Sequence, residues 1–368
     1  MKIRAQQENI DRCRFCFMCR HVCTLGRVTS EEALTPRSQA LGLSMILRDA
    51  MEYDGQLVEN IYKCCLCGYC KDWCQGGWDF PSSVKAARQD IVAAGLAPQN
   101  VEDLKDEILQ HKNAYGKTAI DPALKKAIES HRDKAETLVL YGNDVLYAAP
   151  EIGLSFMEIL EKAGIDFMPL PDEDTSAYEL YSLGYLEEAK TSAAALVAAI
   201  KGTGAKRLIV LSPDVEAFLA NDLSMLDISL ADIDIVGGVK CIHSLLEDAK
   251  IKISKQYQKK ITYHDCNGLA RETKAIDEPR AIIDRIPGGA FTELVWNKNE
   301  AHSTGSNLVS RLYPHIAKDI LDKRVEDIRE IESDVVITSC VYDKLGLAEI
   351  FGDEKEVIDI YELVAKLI

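Results

Sequence analysis

The chain has 368 residues, 47% of them hydrophobic and 28% charged, which is the composition of a water-soluble globular protein with room for two or three domains. A formal charge of −16 argues against nucleic acid as a partner, and no run of about 18 uncharged apolar residues predicts a membrane span. Twelve cysteines, with no apolar signal segment at the N-terminus, point to a reducing cytoplasm where thiolates are free to bind iron.

The first predicted element is a cysteine run: Cys13, Cys16, Cys19 and Cys23, separated by two, two and three residues. Cys64, Cys67, Cys70 and Cys74 repeat the spacing after 40 residues. This is the spacing of a bacterial-ferredoxin cluster motif, in which the fourth Cys of each run crosses to the other cluster. The expectation is therefore two [4Fe–4S] clusters. Cys13, Cys16, Cys19 and Cys74 hold cluster 1; Cys64, Cys67, Cys70 and Cys23 hold cluster 2. Zinc sites usually take two pairs of cysteines with a long gap between pairs, and disulfides need an oxidising compartment, so neither fits as well. Thr24 and Gln75 replace the proline that commonly follows each run, a turn device and not a ligand. Cys65 is a spare thiol between ligands.

Between the runs, Thr35-Pro36 opens a helix through Arg48. After the second run, Pro81 to Ala94 reads as another helix, ended by Gly95. Residues 1–96 are thus expected to form an α-helical dicluster domain, and 97–135 a polar connector with one or two helices. From about residue 137, short β-branched runs alternate with helical segments, which predicts parallel α/β units. Expected strands are Thr137–Tyr141, Arg207–Leu211, Ile233–Val236, Ile261–His264, Leu294–Trp296, Asp334–Thr338 and Val357–Ile360. Expected helices include Ile152–Ala163, Leu186–Lys201, Ser306–Glu330 with a break at Pro314, and Tyr361–Ile368. Gly202-Thr203-Gly204 lacks the spacing of a phosphate loop and reads as a helix end.

Doubled cluster runs on a helical domain, followed by α/β halves, resemble the iron–sulfur subunits that share the CCG domain. These include the glycolate oxidase iron–sulfur subunit, the lactate-utilisation iron–sulfur protein, the anaerobic glycerol-3-phosphate dehydrogenase small subunit and heterodisulfide reductase. The resemblance implies two Rossmann-like halves, 136–250 and 251–368, each a degenerate copy of a motif with Cys, then Cys-Cys-Gly, then Cys-x-x-Cys. In the second half Cys266 stands for the first cysteine, His302-Ser303-Thr304-Gly305 for Cys-Cys-Gly, and Cys340 through Asp343 for Cys-x-x-Cys. In the first half Tyr141-Gly142-Asn143, Asp174 to Ala177 with Leu183-Gly184, and Leu211 to Val215 hold the matching places without a cysteine. With its ligands lost, a heterodisulfide-reductase type of site is not expected, although such a catalytic subunit with a third metal centre at Cys266 and Cys340 is the alternative.

Cys266, Cys340, His302 and Cys241, or Asp343 in place of Cys241, form the candidate set for that third centre. Buried packing is the favoured reading, because free Cys is among the most buried residue types and the set matches no fixed metal spacing. Trp73 and Trp78 flank Cys74 and read equally as cluster shielding or core packing; Lys71 and Arg20 sit inside the cluster loops, where positive charge would raise a cluster's potential, with surface solvation the default reading. No flavin or nicotinamide fingerprint is visible. The expected role is an electron-transfer subunit that works beside a flavin-containing dehydrogenase of 2-hydroxy-acid type and passes electrons to a quinone or soluble carrier.

Overall fold

The structure, a computed structural model, describes residues 1–131 and 134–368. Residues 132–133, in the expected connector, lie outside them. The chain is a mixed α/β protein: helices to residue 130, then two four-stranded parallel sheets wrapped in helices.

The N-terminal helices form where the sequence supplies start signals. Asp79 accepts the Ser82 N–H at 3.1 Å to cap Phe80–Ala93, and Asp54 accepts that of Leu57 at 2.7 Å to cap Gly55–Lys63. Pro36 occupies the first turn of Pro36–Leu47. The connector contributes Gln99–His111 and Pro122–Ser130.

The first sheet contains β1 (Thr137–Leu140), β2 (Met168–Pro169), β3 (Arg207–Val210) and β4 (Asp234–Gly237), in the order β2-β1-β3-β4. The second contains β5 (Lys260–Tyr263), β6 (Ala290–Phe291), β7 (Val335–Thr338) and β8 (Glu356–Asp359), in the order β6-β5-β7-β8. The shared order makes the two halves copies of one topology. Past their first residues (Thr137, Arg207 and the exposed Lys260) the central strands are buried and mostly apolar, because both faces are covered. Leu138, Leu140, Leu208 and Val210 join the core of the N-terminal helices, whereas Val139, Tyr141, Ile209 and Leu211 join one core with Ile261, Tyr263, Val335 and Ile337 of the second half. The halves also interlock through Pro150–Lys162 packed on the C-terminal helix Ile360–Leu367, with the Phe156 and Tyr361 rings 5.1 Å apart.

Leu294–Trp296 is not a strand. Val295 is 63% exposed and Trp296 lies against His302, while the edge strand is Ala290–Phe291, paired with Lys260 and Ile261. Met168–Pro169, the matching edge of the first sheet, tolerates a proline because its outer side has no partner strand among the described residues. The long segment before residue 330 breaks at Pro314 into Asn307–Leu312 and Pro314–Arg329. Helix Leu186–Thr203 ends on Gly204 at φ +77°, so the Gly202-Thr203-Gly204 stretch is a helix end.

Candidate functional site

The two cysteine runs fold alike. In each, the residue before the second Cys adopts a left-handed backbone, Phe15 at φ +50° and Leu66 at φ +54°. That conformation costs a non-glycine residue about 1–2 kcal/mol and bends the loop around its own thiol. The Phe15 N–H reaches Cys13 Sγ at 3.4 Å, and the Leu66 N–H likewise bonds Cys64. Trp78 N–H donates to Cys74 Sγ at 3.4 Å, and Gly26 and Leu25 N–H groups serve Cys23. Such N–H···S bonds stabilise negative sulfur and tune a cluster's potential.

The thiols fall into two neighbouring sets. Burial, then the adjacent Cys13, Cys16 and Cys74 thiols, pushes Cys19 up to about 12. Cys13 is pushed up by burial and by Cys74 and Cys16. In the other set, Cys23 is pushed up by burial and by Cys67 and Cys64. Burial and then Cys67, Cys64, Cys23 and Cys19 do the same to Cys70, so Cys70 and Cys19 mark where the sets adjoin. Cys23, Cys64, Cys67 and Cys70 line one cavity with Phe80 and Leu25. Cys23, Cys64 and Cys70, raised by burial and by neighbouring thiols, need a cationic centre to become thiolates. An iron–sulfur cubane would supply that charge. Among the described residues no three His, Cys, Asp or Glu are grouped to hold a single metal ion. Cys16 is the exposed member of the first set, and Cys65 is buried beside the second.

Two arginines fix the second run, and nothing in the sequence marks them. Arg88, 2% exposed, donates to the carbonyls of Ile61, Tyr62 and Cys64 and to that of Ser182 in the first half. Arg271 donates to Cys67 O at 2.6 Å and to Asn299 and Ala301 O in the second half. The second cysteine loop is thereby clamped to both α/β halves. Trp78 is buried, with Nε1 on Ser83 Oγ at 3.2 Å, and Trp73 lies edge-on to Tyr69 at 5.9 Å. Lys71 pairs with Asp79 and Arg20 with Glu32, both partly exposed.

A cleft of about 680 Å³ opens where the three parts meet. Cys64 and Cys65 lie on one wall, and Cys266, Cys340, Asp214, Asp343, Tyr178 and Tyr342 line it as well. Cys266 and Cys340 come together here: burial, then Asp343, Cys266 and Asp214, pushes the Cys340 thiol up, and Cys266 is pushed up by burial, Asp343 and Asp214. The hydroxyl of Thr304 and His264 Nε2, at 3.3 Å, hold Asp343.

The rest of the candidate third centre lies elsewhere. His302 Nδ1 bonds Asp327 at 2.7 Å, beside Arg27 and Arg324, and its ring sits on Trp296. Cys241 is buried on helix Gly238–Glu247 near Arg207 and Lys250, and on the same helix His243 faces Glu247. The structure therefore brings Cys266, Cys340 and Asp343 together and leaves His302 and Cys241 out. Sequence reasoning missed the carboxylates around this floor, Glu179 buried and Asp144 and Asp214 half-buried. Burial lifts Asp144 to about 6, burial with Asp144 and Asp343 lifts Asp214 to about 7, and burial with Asp144 and Asp174 lifts Glu179 to about 8.

Residues 261–342 match the cysteine-rich domain family named CCG. The chain is 25% identical to a subunit of the dihydromethanophenazine:CoB–CoM heterodisulfide reductase of Methanosarcina barkeri, over 98% of this chain and 94% of that one. It is 24% identical to a subunit of the CoM/CoB fumarate reductase of Methanothermobacter marburgensis, over 96% of this chain and 71% of that one. An iron–sulfur protein of Methanocaldococcus jannaschii is 22% identical over 99% of this chain and 74% of its own. The chain thus carries a match to the CCG cysteine-rich domain in its second half and is similar, nearly end to end, to iron–sulfur proteins and reductase subunits.

Proposed function

We propose that the chain is an electron-relay subunit of an oxidoreductase complex. Cys13, Cys16, Cys19 and Cys74 would hold one [4Fe–4S] cluster, and Cys64, Cys67, Cys70 and Cys23 the other. Bound there, the clusters would supply reversible one-electron storage. The observation that carries the reading is the pairing of thiols across the two runs into adjoining sets, with Cys19 and Cys70 as neighbours. The chain's own residues do the rest. Backbone N–H groups of Phe15, Leu66, Gly26 and Trp78 stabilise negative sulfur, and Arg88 and Arg271 hold the second loop rigid against the α/β halves. Substrate chemistry belongs to a partner, a flavin-containing dehydrogenase of 2-hydroxy-acid type, and a quinone or soluble carrier takes the electrons. Two similar relatives, each named as one subunit of a reductase, support a role inside such a complex. Among the described residues no helix is long and apolar enough to cross a membrane, so contact with a membrane would run through partners.

The test is substitution of one ligand in each set within the purified complex. Cys16→Ser and Cys67→Ser should each cost one cluster and stop electron flow while the partner's flavin remains reducible. Unchanged turnover in either variant would reject the relay. The second reading, a heterodisulfide-reductase-like catalyst with a third metal centre, draws on Cys266 and Cys340 in the cleft. Iron beyond about eight per chain, lost on Cys266→Ala, would favour it.

A further inference from the structure

The cleft floor carries two thiols that the relay does not use. β5 and β7 run parallel with Tyr263 beside Ile337, and three residues farther along each strand direction stand Cys266 and Cys340. Both are buried yet line the cleft, 3% and 8% exposed, and each lies within the electrostatic reach of Asp343 and Asp214. The fourth residues beyond Leu140 and Val210, a registered pair of the first sheet, are Asp144 and Asp214, and Asp144 bears on Asp214. The two halves meet head-on at this place: a Cβ on Gly268 would lie 2.8 Å from the Pro213 Cβ. Thiols from one half thus face carboxylates from the other. A path leads from here to the second cysteine run, because Tyr342 neighbours both Cys340 and Cys65, and Cys65 adjoins Cys64 in the chain.

We propose that Cys266 and Cys340 form a redox-active pair that cycles between dithiol and disulfide at the floor of the cleft, as a two-electron store beside cluster 2. Reduction breaks the S–S bond, consumes two electrons and two protons, and yields two thiols; oxidation forms the bond and releases both. The electrons come singly from a reduced iron–sulfur cluster, so the inference rests on the relay reading. The protons come from and return to solvent in the open cleft, which Asp214 and Asp343 line, and Tyr178 donates to Asp214 Oδ2 at 3.3 Å. The pair is the protein's own, distinct from any disulfide substrate. Its value to a relay is the exchange of single electrons for a two-electron, two-proton unit, which suits a hydride or quinone partner.

The test counts thiols on the anaerobically purified, cluster-loaded full chain, poised in buffers of reduced and oxidised dithiothreitol, then acid-quenched, denatured and alkylated. Reducing buffers should give all twelve cysteines alkylated. Oxidising buffers should give two fewer, with one linked peptide joining Cys266 to Cys340. Cys65→Ala should leave that two-thiol loss in place, and Cys266→Ala should abolish it without loss of iron. Full alkylation at every poise, a link to Cys65 instead, or iron lost with Cys266→Ala would each overturn the pair. Iron content and the EPR signal of the reduced protein, measured on the same samples, report separately on the relay: absent clusters would defeat that reading whatever the thiol count.

Discussion

Replacing Arg88 with Met should release the second cysteine loop before it harms the first. The guanidinium donates at 2.8 Å to Ser182 O, 2.9 Å to Ile61 O, 3.2 Å to Tyr62 O and 2.8 Å to Cys64 O. A hydrogen bond from a charged donor is worth about 1.5–3 kcal/mol net, so four would total roughly 6–12 kcal/mol if they added. Against this stands the cost of burying the cation, several kcal/mol, which also lowers the Arg88 pKa from its ordinary value. Methionine fills similar volume but leaves the carbonyls without their donor, and a net loss of about 3–5 kcal/mol is expected. That is a large share of the ~5–15 kcal/mol available to a domain. Urea unfolding of the anaerobic protein, followed by cluster absorbance, should show the midpoint fall by about 1 M or more at an m-value near 3 kcal/mol/M. Iron should fall toward half, with Cys13, Cys16 and Cys19 retaining theirs. Arg88→Lys should not restore stability, since one point charge does not reach four carbonyls. A midpoint within about 0.3 M of the parent, or loss of the first cluster before the second, would refute the clamp.

Two further outcomes follow from the same packing. Gly184 sits at φ +100°, and a Cβ there would lie 2.5 Å from the Arg88 backbone carbon, so Gly184→Ala should cost about 3 kcal/mol or more; a thermal midpoint equal to the parent's would contradict the close approach. Glu179 is raised to about 8 from 4.5, burial being the first cause. Because its folded value lies above its unfolded one, the protonated carboxyl supports the fold fully below pH 4.5 and that support is lost as pH rises toward about 8. Glu179→Gln should therefore be close to neutral near pH 4.5 and stabilising by about 1–3 kcal/mol at pH 8.5, and equal urea midpoints for variant and parent at both pH values would sink this account.

The central strands were legible because their apolar runs are buried on both faces: Thr137 to Leu140, Arg207 to Val210 and Val335 to Thr338 lie within the expected segments. The edge strands were not. Met168–Pro169 and Ala290–Phe291 are two residues long, too short for a period, and Leu294-Val295-Trp296 offered a stronger β-like run that tertiary packing spends on a loop over His302. The spacing suggested the thiol sets, because it matches a ferredoxin motif whose fourth Cys crosses to the other cluster. The cleft floor was half legible. Cys266, Cys340 and Asp343 belonged to a recognisable frame, but Asp144 and Asp214 sit on ordinary helix starts and are raised only by the desolvation that the folded chain imposes. Arg88 looks like a solvated helix residue in the sequence, and only the folded chain shows four carbonyls around it. Gly184 and Gly305, at φ +100° and +109°, persist where the cysteines of the frame are gone, and at Gly184 the reason is backbone contact with helix Phe80–Ala93.

The most direct measurement is metal content with EPR of the dithionite-reduced, anaerobically purified chain. The expected result is about eight irons per chain, no zinc, and a spin-coupled signal from two neighbouring [4Fe–4S] clusters that collapses to a single-cluster signal in Cys16→Ser or Cys67→Ser. Zinc in place of iron, about four irons with an uncoupled signal, or clusters that survive both substitutions would contradict the two-cluster relay.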